Sequence, residues 1–159
     1  MTEGSEVYTD FIKSMLDAED ARKSSLEQRG IGIITTSGTL VTLLFGLTAA
    51  ITSAKNFTLP AAARDWLTPA AILFVVAAAA GILVNVPLFY GTIEVSRATL
   101  EPAWGDDAPD ARAAVTDVRL RRLQAAQGVN SVKAWILVVG AAFELAAVAM
   151  LTGGIVHIL

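Results

Sequence analysis

Glu144 is the residue whose type and setting most invite a chemical role, because it is the one acidic side chain between Ala134 and Leu159. An ionised carboxylate in the middle of a hydrocarbon layer costs roughly 3 kcal/mol or more, so its expected place is against protein or water. Two roles compete. One is a pore-lining or proton-sensitive group. The other is a neutral carboxyl hydrogen-bonded to Asn85, a threonine or a backbone carbonyl. Asn85 is itself a polar side chain near the end of an apolar stretch.

Arg119, Arg121 and Arg122 form the densest basic cluster, suited to a phosphate or to anionic lipid headgroups. On a helix Arg119 and Arg122 share a face, whereas Arg121 points elsewhere and stands four residues from Asp117. A solvated surface is the commoner fate of such a cluster. His157 lies near the end of the last apolar stretch, where an interfacial position is a better reading than a ligand. The chain carries no phosphate loop, metal-spaced cluster or nucleophile–base pair, so no catalytic residue, metal or cofactor is expected and an enzyme is disfavoured. It has no cysteine, which removes disulfides, thiolate metal sites and thiol nucleophiles. A net charge of −3 offers nucleic acid nothing to bind.

The elements that hold these residues follow from where charge is missing. The 159 residues are 54% hydrophobic with a mean hydropathy of +0.57, which is only suggestive. Distribution decides. Charges are absent from Gly30 to Ala54, from Trp66 to Ile93, and from Ala134 onward except Glu144. About 20 apolar residues cross a hydrocarbon core, and the outer face of a soluble helix must meet water. The expected fold is an all-α integral membrane protein. Its parts are an N-terminal cytoplasmic helix (1–29), three membrane helices (30–54, 68–90 and 134–159), a short external loop (55–67) and a cytoplasmic helical segment (91–133). The mixed charges of the first 29 residues and the long run after them argue against a signal peptide.

The N-terminal helix starts near Ser5, a suitable N-cap, and sets Val7, Tyr8, Phe11, Ile12, Met15 and Leu16 on one face. Acidic residues outnumber basic ones there, so a partner helix suits that face better than a membrane surface. Small and hydroxylated residues, Thr35-Thr36-Ser37-Gly38-Thr39, open the first span and favour close helix packing over a lining role. Thr68 and Pro69 supply an N-cap and N1 proline for the second span. After Pro102 and an acidic turn ending at Pro109, a helix begins. In it Ala111, Val115, Val118, Arg122, Ala125, Val129, Val132 and Ile136 alternate spacings of four and three, a heptad seam leading into the last span. Leu120 and Leu123 widen it, and Gly128 and Asn130 weaken the helix near the boundary. The seam serves internal packing, a homo-oligomer, or both. Ten basic residues precede the first span or lie between the second and third, against two, Lys55 and Arg64, on the other side. That balance places the N-terminus in the cytoplasm and the C-terminus outside.

Two stretches resemble a known family. AEDARKSSL, Ala18 to Leu26, precedes the first span, and QGVNSVKAWILVVGAA, Gln127 to Ala142, enters the last. With the order helix, tight two-span hairpin, helical segment and third span, they resemble the transmembrane effectors of Pycsar antiphage systems. Where that family usually has a lysine–alanine pair, this chain reads Arg22-Lys23-Ser24-Ser25. The resemblance implies a cyclic-nucleotide-triggered protein of the inner membrane that permeabilises it in antiviral defence. Three spans cannot enclose a pore alone, so that function needs several copies. The alternative is a non-catalytic membrane scaffold or a subunit of a larger complex, with Glu144 paired to a partner.

Overall fold

The computed structural model describes residues 3–53, 59–87 and 108–158; the expected helical extension after 90, Pro102 and the acidic turn at 105–107 lie outside them. Three helices account for nearly all of the described chain: α1 (Glu3–Ser53), α2 (Ala61–Asn85) and α3 (Ala108–Val156). No strand occurs among the described residues. Each helix is long and apolar enough to cross a membrane.

α1 and α3 are far longer than a span requires. At 1.5 Å per residue the 51 residues of α1 reach about 75 Å, against about 30 Å for a hydrocarbon core. The expected N-terminal helix and first span are therefore one element. No proline interrupts α1, and α3 meets Pro109 only in its first turn, where a missing N–H costs nothing. The helix start falls at Glu3 rather than Ser5.

α2 corrects the reading of Thr68-Pro69 as a helix start. It begins at Ala61, where the Arg64 N–H bonds to the Pro60 carbonyl at 3.1 Å, and Pro69 lies inside it. Alanines and arginine before Pro69 are strong helix formers, and the carbonyl that Pro69 leaves unbonded belongs to exposed Asp65. The helix ends at Asn85 because Pro87 drives Val86 to an extended ψ of 131°.

The chain divides into two compact units. One joins Met1–Ser25 to Pro87–Val132; the other joins Leu26–Val86 to Lys133–Leu159. In the first, α1 and α3 run parallel: Glu6 meets Arg112, Thr9 meets Thr116, and Glu19 meets Asn130. Ile12, Leu123 and Val129 are its buried apolar residues. In the second, α2 lies antiparallel to both. Its buried line, Ala63, Leu67, Ala70, Phe74, Ala77, Gly81 and Val84, alternates spacings of four and three, the repeat of left-handed helix packing. α3 matches it with Lys133, Leu137, Gly140, Ala147 and Gly154, and α1 with Leu26, Gly30, Ile33, Ser37 and Leu44. Leu26, Ile33, Ala77, Val84 and Leu137 form the core.

Glycines let the backbones meet. A Cβ on Gly140 would stand 2.9 Å from the Ala80 Cβ, and one on Gly154 would stand 2.6 Å from Leu67. By contrast nothing among the described residues lies within 4 Å of a Cβ added at Gly32, Gly38 or Gly46, so packing among them gives those three no role.

Candidate functional site

In the first unit the three arginines separate. Arg121 pairs with Asp117 at 2.9 Å, one helical turn away. Arg122 is exposed. Arg119 is half-buried and lines an open cleft of about 470 Å³ with Glu6, Thr9, Asp10, Arg112 and Val115. Arg112 reaches Glu6 across it at 3.5 Å. A shallower cleft of about 290 Å³ lies beside Tyr8, Thr116, Asp117 and Leu120. The first cleft therefore presents two guanidinium groups beside two carboxylates, a set able to hold an anion and hydrogen-bond donors together.

The valine seam sits one residue off the line that packs. The buried line is Thr116, Leu123 and Asn130, each one position after Val115, Arg122 and Val129. One residue turns the direction by about 100°. Hence Val115 is 38% and Val132 52% exposed, Arg122 and Ala125 are exposed, Val118 is half-buried, and only Val129 is buried. Leu123 was expected merely to widen the face; it is the residue that fills it. Asn130 is held in place by α1, its side chain donating to the Glu19 carbonyl at 2.9 Å and to Glu19 Oε2 at 2.8 Å.

The second unit carries a buried ion pair that sequence reasoning missed. Lys133 Nζ donates to Glu27 Oε1 at 2.6 Å, with the lysine side chain 2% exposed and the glutamate 32%. In the sequence Lys133 is one of the ten basic residues that set the orientation. The available signal was its position on the same 3.5-residue line as Leu137, Gly140 and Ala147. Glu144 lies on that line too, half-buried, and its partner is neither Asn85 nor a threonine. Fully buried Ser37 points its hydroxyl at Glu144 Oε1 at 3.5 Å, a long contact at the limit of a hydrogen bond. Asn85 instead donates to the Gly81 carbonyl of its own helix at 3.0 Å. Among the described residues no buried side-chain polar atom lacks a partner.

Outward-facing positions are largely apolar on all three helices. α2 exposes Ile72, Val75, Val76, Ile82 and Leu83; α3 exposes Trp135, Val138, Val139 and Leu145; α1 exposes Ile31, Leu43, Phe45 and Leu47. α1 adds exposed Thr35, Thr36, Thr39 and Thr42 among its glycines, each hydroxyl bonded to the carbonyl four residues back. Beyond these, the His157 ring lies 6.4 Å from Trp66, centroid to centroid, with planes 31° apart. No group of His, Cys, Asp and Glu among the described residues has the geometry to hold a metal. Neither a family model, a curated protein nor a solved structure matches this chain.

Proposed function

We propose that the chain is a multi-pass protein of the inner (plasma) membrane, with N-terminus cytoplasmic and C-terminus external, acting as an oligomeric, signal-triggered effector that permeabilises the bilayer. The supporting observation is how little of its apolar surface one copy covers: 17% of the most apolar stretch of α1, 33% of that of α2 and 17% of that of α3 is buried. Uncovered aliphatic surface on that scale calls for lipid or another chain. The aliphatic faces of α2 and α3 suit lipid, and the glycine–threonine face of α1 suits close contact with a second copy. Exposed Val115 and Ala125, with half-buried Val118, offer a second contact in the cytoplasm; Val129, buried within the chain, takes no part in it. The trigger is a cyclic nucleotide, as the resemblance to Pycsar effectors implies, held at the cleft that Arg119 lines. The outcome is antiviral defence through loss of the membrane barrier.

Glu144 decides between this reading and the scaffold. Ser37 touches it only at the limit of a hydrogen bond, at 3.5 Å, so the carboxyl is not locked into a structural pair. In liposomes loaded with a potential-sensitive dye, cyclic mononucleotide added on the cytoplasmic side should dissipate the potential, and Arg119→Ala should abolish the response. Glu144→Gln should assemble normally yet shift the response between two pH values. Glu144→Leu should be worse by about 1–2 kcal/mol of lost polar contact. A glutamine variant equal to wild type at both pH values, with a leucine variant that fails to assemble, makes Glu144 a structural residue and ends its conduction role.

Orientation has its own test. With no native cysteine, Ala61→Cys and Leu159→Cys should react with a membrane-impermeant maleimide on intact cells, and Asp107→Cys only after permeabilisation. Labelling at 107 on intact cells reverses the topology.

A further inference from the structure

We propose that Trp135 and Trp66 mark the two faces of the bilayer on this chain, the inner and the outer, and that Glu144 stands at its midplane. This belt presupposes the membrane insertion proposed above, but neither a trigger nor permeabilisation. Within the unit built from Leu26–Val86 and Lys133–Leu159, three markers share the inner level. The Glu27–Lys133 bond sets Arg29, the last charge of α1, level with Trp135. A Cβ on Gly30 would stand 2.7 Å from Asn85 Nδ2, so the end of α2 lies there too. A charge avoids hydrocarbon, a helix end has carbonyls that hydrocarbon cannot satisfy, and an indole favours the interface. Trp135 is 71% exposed, so its ring fills no core.

At the outer level Trp66 directly follows Arg64 and Asp65 on α2. A Cβ on Gly153 would stand 3.0 Å from its Cε3, and the His157 ring is close by on α3. Two helices then give the separation independently. At 1.5 Å per residue it is about 28 Å along α2 from Trp66 to Asn85, and about 27 Å along α3 from Trp135 to Gly153. Both lie within a few ångströms of the hydrocarbon thickness of a bilayer, about 30 Å. Between the two levels α2 and α3 expose only apolar residues, apart from Thr68 and Thr152 at the outer edge. The exposed threonines of α1 turn their hydroxyls onto their own helix, as a hydroxyl away from water must. Glu144 is nine residues from Trp135 and nine from Gly153. Either face is about 13 Å away, beyond the reach of its side chain, so protein must meet the needs of its carboxyl.

The chain has three tryptophans, so Trp104→Phe combined with Trp66→Phe or with Trp135→Phe leaves one reporter in each full-length variant. A third variant replaces all three by phenylalanine and adds Leu145→Trp, an exposed position next to Glu144. Each is reconstituted in phosphatidylcholine vesicles brominated either near the headgroup or near the chain end. Trp66 and Trp135 should be quenched more by the shallow bromine and lie about 13 Å from the bilayer centre, half the rise between the two levels. The indole of the Leu145→Trp variant should be quenched more by the deep one. Protein that does not float with the vesicles overturns the membrane reading and the belt with it. Protein that floats, with Trp66 or Trp135 quenched more by the deep bromine, or with the Leu145→Trp indole quenched more by the shallow one, overturns the belt alone. Should Trp66→Phe unfold the chain by loosening its packing on Gly153, spin labels on Asp65→Cys and Leu145→Cys read the same depths in a chain with no native cysteine. The first should relax faster with a water-soluble nickel complex and the second with oxygen; the reverse pattern overturns the proposal.

Discussion

Glu27→Ala should destabilise the protein far more than Lys133→Met, although the two substitutions break the same bond. The difference lies in what each leaves behind. Lys133 is 2% exposed, so removing Glu27 strands a buried ammonium that has lost its bonded carboxylate. Breaking a buried pair this way typically costs about 3–5 kcal/mol, and the lower end applies here because a lysine stem can swing its head toward water. Removing the lysine leaves Glu27, already 32% exposed, free to turn outward, while methionine fills the vacated volume. A loss of about 1 kcal/mol is expected there, the scale of one hydrogen bond. Thermal unfolding in detergent, followed by circular dichroism, should rank the variants wild type, Lys133→Met, then Glu27→Ala well below both. Equal losses would mean that the lysine is solvated in the folded protein. Restoration by adding Lys133→Met to Glu27→Ala would show that the stranded charge, rather than the lost bond, carries the cost.

The three candidate spans were legible because charge-free runs of that length have few alternatives. The helix ends were less so, and the reasons are specific. Gly30, the first residue of a charge-free run, is a buried mid-helix glycine, since a Cβ there would stand 2.7 Å from Asn85 Nδ2 and 3.0 Å from the Gly81 carbonyl. A glycine that permits close approach is not told from any other until the neighbour is known. Pro69 misled in the same way: its preference for N1 was real, but the exposed turn before it tolerates the lost hydrogen bond.

Among the candidate residues, local chemistry was readable and long-range pairing was not. The Arg121–Asp117 pair follows from spacing on one helix. Ser37 with Glu144 and Glu27 with Lys133 join residues more than a hundred positions apart, and no local pattern encodes them. The valine line lies one residue off the line that packs within the chain. On α3 the inward line takes Leu123 together with Thr116, Asn130 and Lys133, polar residues that a search for apolar heptads passes over. Those polar members are satisfied by α1, which is why a line of mixed chemistry packs while the purer valine line stays open.

That open surface leads to a prediction in which one substitution has opposite effects at two places. Gly81→Ala should be strongly destabilising. The added Cβ would sit 2.7 Å from the Gly30 carbonyl and 2.8 Å from Ile34 Cγ1. A side chain can rotate aside; a helix backbone cannot, so α1 and α2 must move apart and lose the core that Val84, Ile33 and Leu26 build. Overpacking of this kind costs about 1–3 kcal/mol, and a backbone obstacle puts it at the upper end. Gly46→Ala makes the same chemical change with nothing within 4 Å. Within a single chain it should stabilise α1 by up to about 1 kcal/mol, the helix propensity that alanine has over glycine. Assembly adds the second readout. If copies meet through the glycine–threonine face of α1, Gly46→Leu should keep the monomer's helical content yet lower the mass measured by light scattering in detergent, because the bulk holds two backbones apart. If the mass is unchanged while Val115→Asp/Val118→Asp lowers it, the copies meet through the valine line alone. If neither changes it, the homo-oligomer fails and the uncovered faces belong to lipid or to a different protein.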